Sequence, residues 1–137
     1  MLICLVSTSF YRCNGAEAVP YRHDELTEEE FRDIVSRVCS SGGGKDGDTS
    51  REILVANYSR AKLGQTGSGH FSPVGGYHPE KDLVLLFDVA RFKYPPHWVP
   101  LSLLYKAMDG HDPETGKLRG EWSTATPFPY PAVCIYT

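Results

Sequence analysis

Apolar positions recur at helical spacing first in "ELTEEEFRDIVSRVCSS", residues 25–41. Phe31, Ile34, Val35 and Val38 fall on one face, which predicts an amphipathic helix of about three turns. Thr27 precedes Glu30 by three residues, the spacing of a capping box. Glu28, Glu29 and Glu30 crowd the first turn, where the helix dipole favours negative charge. The glycine-rich "SGGGKDGDTS" ends this element and predicts a flexible loop. "REILVANYSR", residues 51–60, alternates in part and reads as a strand. Upstream, "RCNGAEAV" holds an Asn-Gly turn signal followed by a short extended piece.

The pattern then changes to period two. "HFSPVGGYH" (70–78) is extended, "PEKD" (79–82) is a turn, and "LVLLFDVA" (83–90) is a buried strand, so the three predict a β-hairpin. Pro95, Pro96 and Pro100 break regular structure after it. "VPLSLLYKAMDG" reads as a short helix with Pro100 near its first turn. "GHDPETGKLRG" is a polar turn. The tail "EWSTATPFPYPAVCIYT" is broken by prolines and has no clear period. No internal repeat is present.

The hairpin raises a chemical question. Asp88 interrupts an apolar run, and a carboxylate buried among Leu85, Leu86 and Phe87 is costly without a partner. With the turn over Pro79–Lys81 and His78 opposite Asp82, Asp88 faces Ser72 and His70 faces Ala90. His70 and Asp88 then share one face, diagonally across adjacent strands. A slip of one residue would separate them. On one reading Asp88 fixes the tautomer of His70 and stabilises its imidazolium, leaving the other ring nitrogen to take a proton. On the other, Asp88 ends the strand and caps a local turn, and His70 is a polar hairpin residue. The residues themselves leave both open.

Bulk composition narrows the classes of function. The chain has 137 residues, the size of one domain, with 41% hydrophobic and 23% charged residues, 13 Gly and 10 Pro. So much Gly and Pro points to mixed α and β structure with many loops. The net charge is −3 and the pI about 5.9. With no basic stripe, a nucleic-acid partner is not expected. No apolar run approaches the roughly 18 residues of a membrane span, so no membrane association is expected. "MLICLVSTSF" lacks the basic region of a signal peptide. The four cysteines (Cys4, Cys13, Cys39, Cys134) have no CxxC spacing. Their sparse distribution fits a reducing compartment, and a cytoplasmic location is expected.

The strings "HFSPVGGY" and "DVARFKYPPHWVP" carry a specific resemblance. With "CNGAEAV", "FRDIV" and "ETGKLRG", they closely resemble the phytochelatin synthase family over roughly residues 12–120. These are papain-like enzymes, also called glutathione γ-glutamylcysteinyltransferases. The resemblance implies an α+β, papain-like fold, here partial and mainly its antiparallel sheet lobe with a few short helices. It implies an acyltransferase in heavy-metal detoxification, moving γ-glutamylcysteine from glutathione to glutathione or phytochelatin peptides. It places the general base on His70 and the orienting carboxylate on Asp88, and suggests that Arg91 binds a substrate carboxylate. Arg91 follows Asp88 by three, so it reaches the site only if the chain bends before Pro95. Tyr94 to Trp98 are expected to form a rigid packed corner, with His78 and His97 as surface residues. Heavy-metal ions (cadmium, zinc or copper) are expected as activators, acting as metal–glutathione thiolates. No organic cofactor and no fixed metal ligand is expected, and the oligomeric state is left open.

The chain also departs from the family. Papain-like enzymes carry the nucleophilic cysteine at the start of the domain's first helix, in a glycine-rich context. None of Cys4, Cys13, Cys39 or Cys134 has that context. Cys13 matches a family cysteine that is not the nucleophile. Residues 1–11 and 121–137 are atypical. The expectation is one partial catalytic domain over residues 1–137, inactive alone, with apolar sheet surface left exposed. The alternatives are a non-catalytic metal-binding or regulatory fragment, or a general papain-like peptidase.

Overall fold

A computed structural model describes residues 19–40, 53–67, 69–111, 118–119 and 122–124. Its centre is a four-stranded antiparallel sheet in the order β2-β3-β4-β5. The strands are β2 (Val55–Ser59), β3 (Gly69–His78), β4 (Leu83–Leu86) and β5 (His97–Pro100). Helices α1 (Glu28–Ser40) and α2 (Leu101–Met108) cover one face. A short strand β1 (Val19–Tyr21) pairs with β8 (Trp122–Thr124), and β6 (Gly110–His111) pairs with β7 (Leu118–Arg119). The class is therefore α+β.

The predicted helix forms where its cap directs. The Thr27 backbone N–H donates to Glu30 Oε2 at 2.7 Å, and the Glu30 N–H donates to Thr27 Oγ1 at 3.3 Å. Together they satisfy donors that the first helical turn leaves free. Phe31 and Val35 are fully buried against Leu101, Leu104 and Met108 of α2 and against Val84 and Leu86 of the sheet. Burying side chains of this size stabilises by about 1.5–3 kcal/mol each. β2 is buried over Val55 to Tyr58 without alternation.

The hairpin turns over the expected "PEKD" but with a register different from the expected one. Pro79–Lys81 make a 3-10 turn, and Asp82 continues it in the left-handed region at φ 50°. His78 therefore pairs with Leu83, not Asp82. A β-bulge at Gly75 then absorbs the extra residue, so that Val74 faces Leu86 as expected. The Phe87 N–H donates to Pro73 O at 2.9 Å and carries the pairing past the strand end. Because the side-chain period is two, the bulge decides which face the rest of β3 presents. It returns Ser72 and Val74 to the buried face beyond Tyr77.

Three expectations need correction. The run "LVLLFDVA" is not buried throughout: the strand stops at Leu86, and Phe87 and Val89 are exposed. Residues after Asp88 turn away through Ala90 O, which accepts from the N–H groups of Lys93 and Tyr94. The segment after Pro96 is not a packed corner but β5, and Trp98 is half exposed. Of the expected strand at 51–60, residues 51–52 lie outside the described residues, and Arg60 begins a 3-10 turn (Arg60–Leu63) that Gly64 closes at φ 71°. The glycine-rich loop and most of the tail also lie outside the described residues.

Candidate active site

His70 sits near the start of β3, opposite Tyr58 of β2. Asp88 lies two residues beyond the end of β4. His70 Nε2 is 2.9 Å from Asp88 Oδ1, and the two side chains are 16% and 0% exposed. Asp88 Oδ1 also accepts from the Ala90 N–H at 2.7 Å. One Asp88 oxygen thus closes the turn after β4 and lies within hydrogen-bond distance of the histidine. His70 Nδ1 makes no hydrogen bond among the described residues. Tyr58 stands edge-on to the His70 ring, and its hydroxyl is 2.9 Å from Ser72 Oγ in the core.

A third residue completes the cluster, and sequence reasoning missed it. Arg60 Nη2 donates to both Asp88 oxygens, at 2.6 and 2.7 Å, and lies 2.7 Å from His70 Nε2. The guanidinium is also 5.0 Å from the centre of the Tyr94 ring, within cation–π range. Thr66 holds that ring in place, through its N–H and its hydroxyl, each 2.9 Å from Tyr94 Oη. The one available signal was physical. A buried carboxylate wants a full positive charge as well as a neutral imidazole.

Burial acts on Asp88 first and pushes its carboxyl up. The hydrogen bonds from Arg60 and Ala90, with the nearby positive charge, outweigh it and hold the group below the usual carboxylate range. Burial likewise pushes His70 down. Asp88 opposes that shift, Arg60 adds to it, and the net result is an imidazole below its ordinary value of 6.5. At neutral pH the pair is therefore a neutral histidine beside an ionised carboxylate. In the tautomer that carries its proton on Nε2, the ring donates to Asp88 and can accept a proton at Nδ1, and Arg60 Nη2, 2.7 Å from Nε2, then donates to Asp88 alone.

The other candidates are placed differently. Arg91 is exposed, with its guanidinium 5.3 Å from the Phe92 ring centre, and it makes no contact with the His70–Asp88 pair. The chain does bend before Pro95, as a turn over residues 91–93. His97 is partly buried, with Nδ1 2.8 Å from Pro95 O and Nε2 3.0 Å from Gln65 Nε2. His78 is edge-on to Trp98. Cys39 is the one cysteine among the described residues. Burial pushes its thiol up to about 11, so at neutral pH it is protonated. Cys4, Cys13 and Cys134 lie outside the described residues. Among the described residues, no group of three His, Cys, Asp or Glu could hold a metal ion, and no helix is long and apolar enough to cross a membrane.

An antiparallel sheet with helices on one face and a histidine–carboxylate pair at its rim defines an α+β domain. Comparison with known proteins makes the class specific. Residues 5–121 match the Phytochelatin synthase family. The chain is 51% identical over 109 residues to glutathione gamma-glutamylcysteinyltransferase 3 of Lotus japonicus, covering 80% of this chain and 21% of that protein. It is 42% identical over 136 residues to glutathione gamma-glutamylcysteinyltransferase 1 of Arabidopsis thaliana, covering 99% of this chain and 25% of that protein. The Schizosaccharomyces pombe glutathione gamma-glutamylcysteinyltransferase is 40% identical over 109 residues, 79% of this chain and 24% of that protein. The chain belongs to the phytochelatin synthase family, and it spans about a fifth to a quarter of the length of these relatives.

Proposed function

We propose that this chain carries the acid–base half of a phytochelatin synthase-type acyl-transfer site on a papain-like scaffold. The single observation behind the reading is the 2.9 Å contact between His70 Nε2 and the buried Asp88 carboxylate, with Nδ1 left without a partner among the described residues. The curated relatives are named for γ-glutamylcysteine transfer from glutathione, which supplies the substrate class. His70 Nδ1 takes the proton of a cysteine thiol, and the thiolate attacks the carbonyl carbon of the Cys–Gly bond of glutathione. The C–N bond breaks, and the imidazolium gives its proton to the departing glycine amine. The amine of a second glutathione, or of a phytochelatin peptide, then attacks the thioester carbonyl carbon and gives its proton to His70, the C–S bond breaks, and the cysteine leaves and regains that proton from the imidazolium. Asp88 orients the ring and stabilises the imidazolium at both steps.

In this reading the nucleophile is not Cys39, whose buried thiol is protonated at neutral pH. It belongs to a glycine-flanked helix start of the kind that family resemblance implies. Arg91 is exposed at the start of the turn over residues 91–93 and is available to a glutathione carboxylate. Cadmium, zinc or copper enters as substrate, bound by glutathione thiolates, since soft cations prefer thiolate ligands. The reaction is placed in the cytoplasm, where glutathione is reduced.

The test is a chimera that joins the N-terminal lobe of the Arabidopsis thaliana relative to this chain. It should release glycine from glutathione and form phytochelatin in the presence of cadmium. His70→Ala and Asp88→Ala should each abolish glycine release. Retained release in either variant overturns the assignment of the pair. The 137-residue chain alone should form no phytochelatin, and product from it would overturn the placement of the nucleophile.

A further inference from the structure

Arg60 is a largely buried positive charge beside the pair, and neither the family resemblance nor the proton-transfer scheme uses it. Its side chain is 13% exposed. Its contacts with the pair pass through one nitrogen, Nη2, which donates to both Asp88 oxygens and lies 2.7 Å from His70 Nε2. Among the described residues, Arg60 Nε is buried without a hydrogen-bond partner. A structural arginine presents its planar fork to a carboxylate and fills both prongs. This one instead sets a single positive charge between the acid and the base.

We propose that Arg60 is a positioning residue for the His70–Asp88 pair, holding the carboxylate ionised in place and keeping the imidazole in its neutral, proton-accepting form. The geometry carries the argument. Asp88 has no exposed surface, so it needs a counter-charge to remain an anion. His70 alone would supply that charge by becoming an imidazolium, and an imidazolium cannot act as a base. Arg60 meets the demand in its place, because a guanidinium stays protonated. His70 is then free to load and unload a proton without leaving Asp88 uncompensated. The groups facing His70 are Tyr58 from β2, Arg60 from the following 3-10 turn and Asp88 from beyond β4. Tyr94 lies over Arg60, and Lys93 Nζ is 5.5 Å from the Tyr94 ring centre. The roof over Arg60 is pinned through Thr66, so the charge is fixed from above and below.

The catalytic consequence rests on the transfer reading, but the effect on His70 can be measured without any activity. The probe is the imidazole carbon resonance of His70, followed by NMR against pH in the 137-residue chain. Wild type should titrate below the ordinary 6.5. Arg60→Gln removes the charge and leaves Asp88 facing His70 alone, so the midpoint should rise by about one unit. Arg60→Lys keeps a charge able to act through a single nitrogen, and its midpoint should stay with wild type. An Arg60→Gln midpoint equal to wild type overturns the proposal, as does an Arg60→Lys midpoint that moves as far as the Gln variant. If Arg60→Gln does not fold, Arg60→Lys decides alone: a midpoint held at the wild-type value supports the proposal, and one displaced upward overturns it. In the chimera, the acid limb of the pH–rate profile should follow the same order. Failure of the transfer reading would show instead as no activity with these titrations intact.

Discussion

Phe87 lies against the bare backbone of Gly75, so closely that a Cβ at position 75 would overlap the end of its ring. That contact sits on the bulge that resets the pairing of β3 with β4. Without the bulge the slip begun at the turn would persist along β3, and His70 and Asp88 would face opposite sides of the sheet. A residue with no side chain, and an aromatic ring that uses the space, thus stand behind the geometry of the pair.

Gly75→Ala should therefore force Phe87 outward and destabilise the chain by about 1 kcal/mol. In a Phe87→Ala background the obstruction is gone, and the same substitution should cost little. Thermal unfolding of the two single variants and the double variant measures the coupling. Strict additivity would mean that the contact does not set the cost.

Acid should destabilise the fold in two stages. His70 and His23 are both lowered from 6.5, chiefly by burial. Between their folded values and 6.5 the unfolded chain binds more protons, so stability falls as pH drops through that window. Asp82 and Asp88 are lowered from 3.8. The stability they contribute is present above that value and is lost as pH falls through their folded values. Urea midpoints measured from pH 8 to pH 3 should show both stages, and His70→Gln should weaken the first.

Cys39 should be inert. At pH 8 a thiol raised to about 11 is only about a thousandth ionised. Iodoacetamide should leave it unmodified in the folded chain and modify it after unfolding in urea, as read by peptide mass spectrometry. Cys39→Ala should leave glycine release by the chimera unchanged.

Asp82 should matter more than its exposure suggests. It accepts from Arg32 Nε at 3.0 Å and Nη2 at 3.1 Å, and from the Tyr77 hydroxyl at 2.7 Å, tying α1 to the hairpin turn. Asp82→Asn keeps a side chain that tolerates positive φ but removes the charge. Because the pair is partly solvated, the loss should be about 0.5–1 kcal/mol in denaturant unfolding. Asp82→Leu should cost more, since a bulky side chain is also strained at φ 50°.

The sequence carried much of the fold because local signals and packing agree there. The cap at Thr27 and the apolar face of α1 point the same way, and both are observed. The hairpin and its turn were legible, but the register at the turn was not: His78 faces Leu83, where a turn over Pro79–Lys81 alone would set it opposite Asp82. The error did not reach Asp88 because the bulge at Gly75 offsets it, and the doubled glycine at 75–76 was the signal for that bulge. β5 was hidden by its prolines. Pro100 pairs with Leu83 at the sheet's edge, where a missing N–H is tolerated. Arg60 was hidden by distance, being 28 residues from Asp88 with no local pattern linking them. The family resemblance pointed to Arg91 as a substrate contact and carried no signal for Arg60, which touches the pair.

The same prolines have a consequence for how the chain behaves among its own copies. Among the described residues β5 has a neighbour only on the β4 side. An open edge of that kind invites a strand from another molecule, the usual start of sheet-to-sheet aggregation. Here the edge is four residues long, follows Pro95 and Pro96, and ends on Pro100. A visiting strand would find too few donors and acceptors to continue the ladder. The segment that defeats a simple reading of the sequence thus guards the protein's solubility.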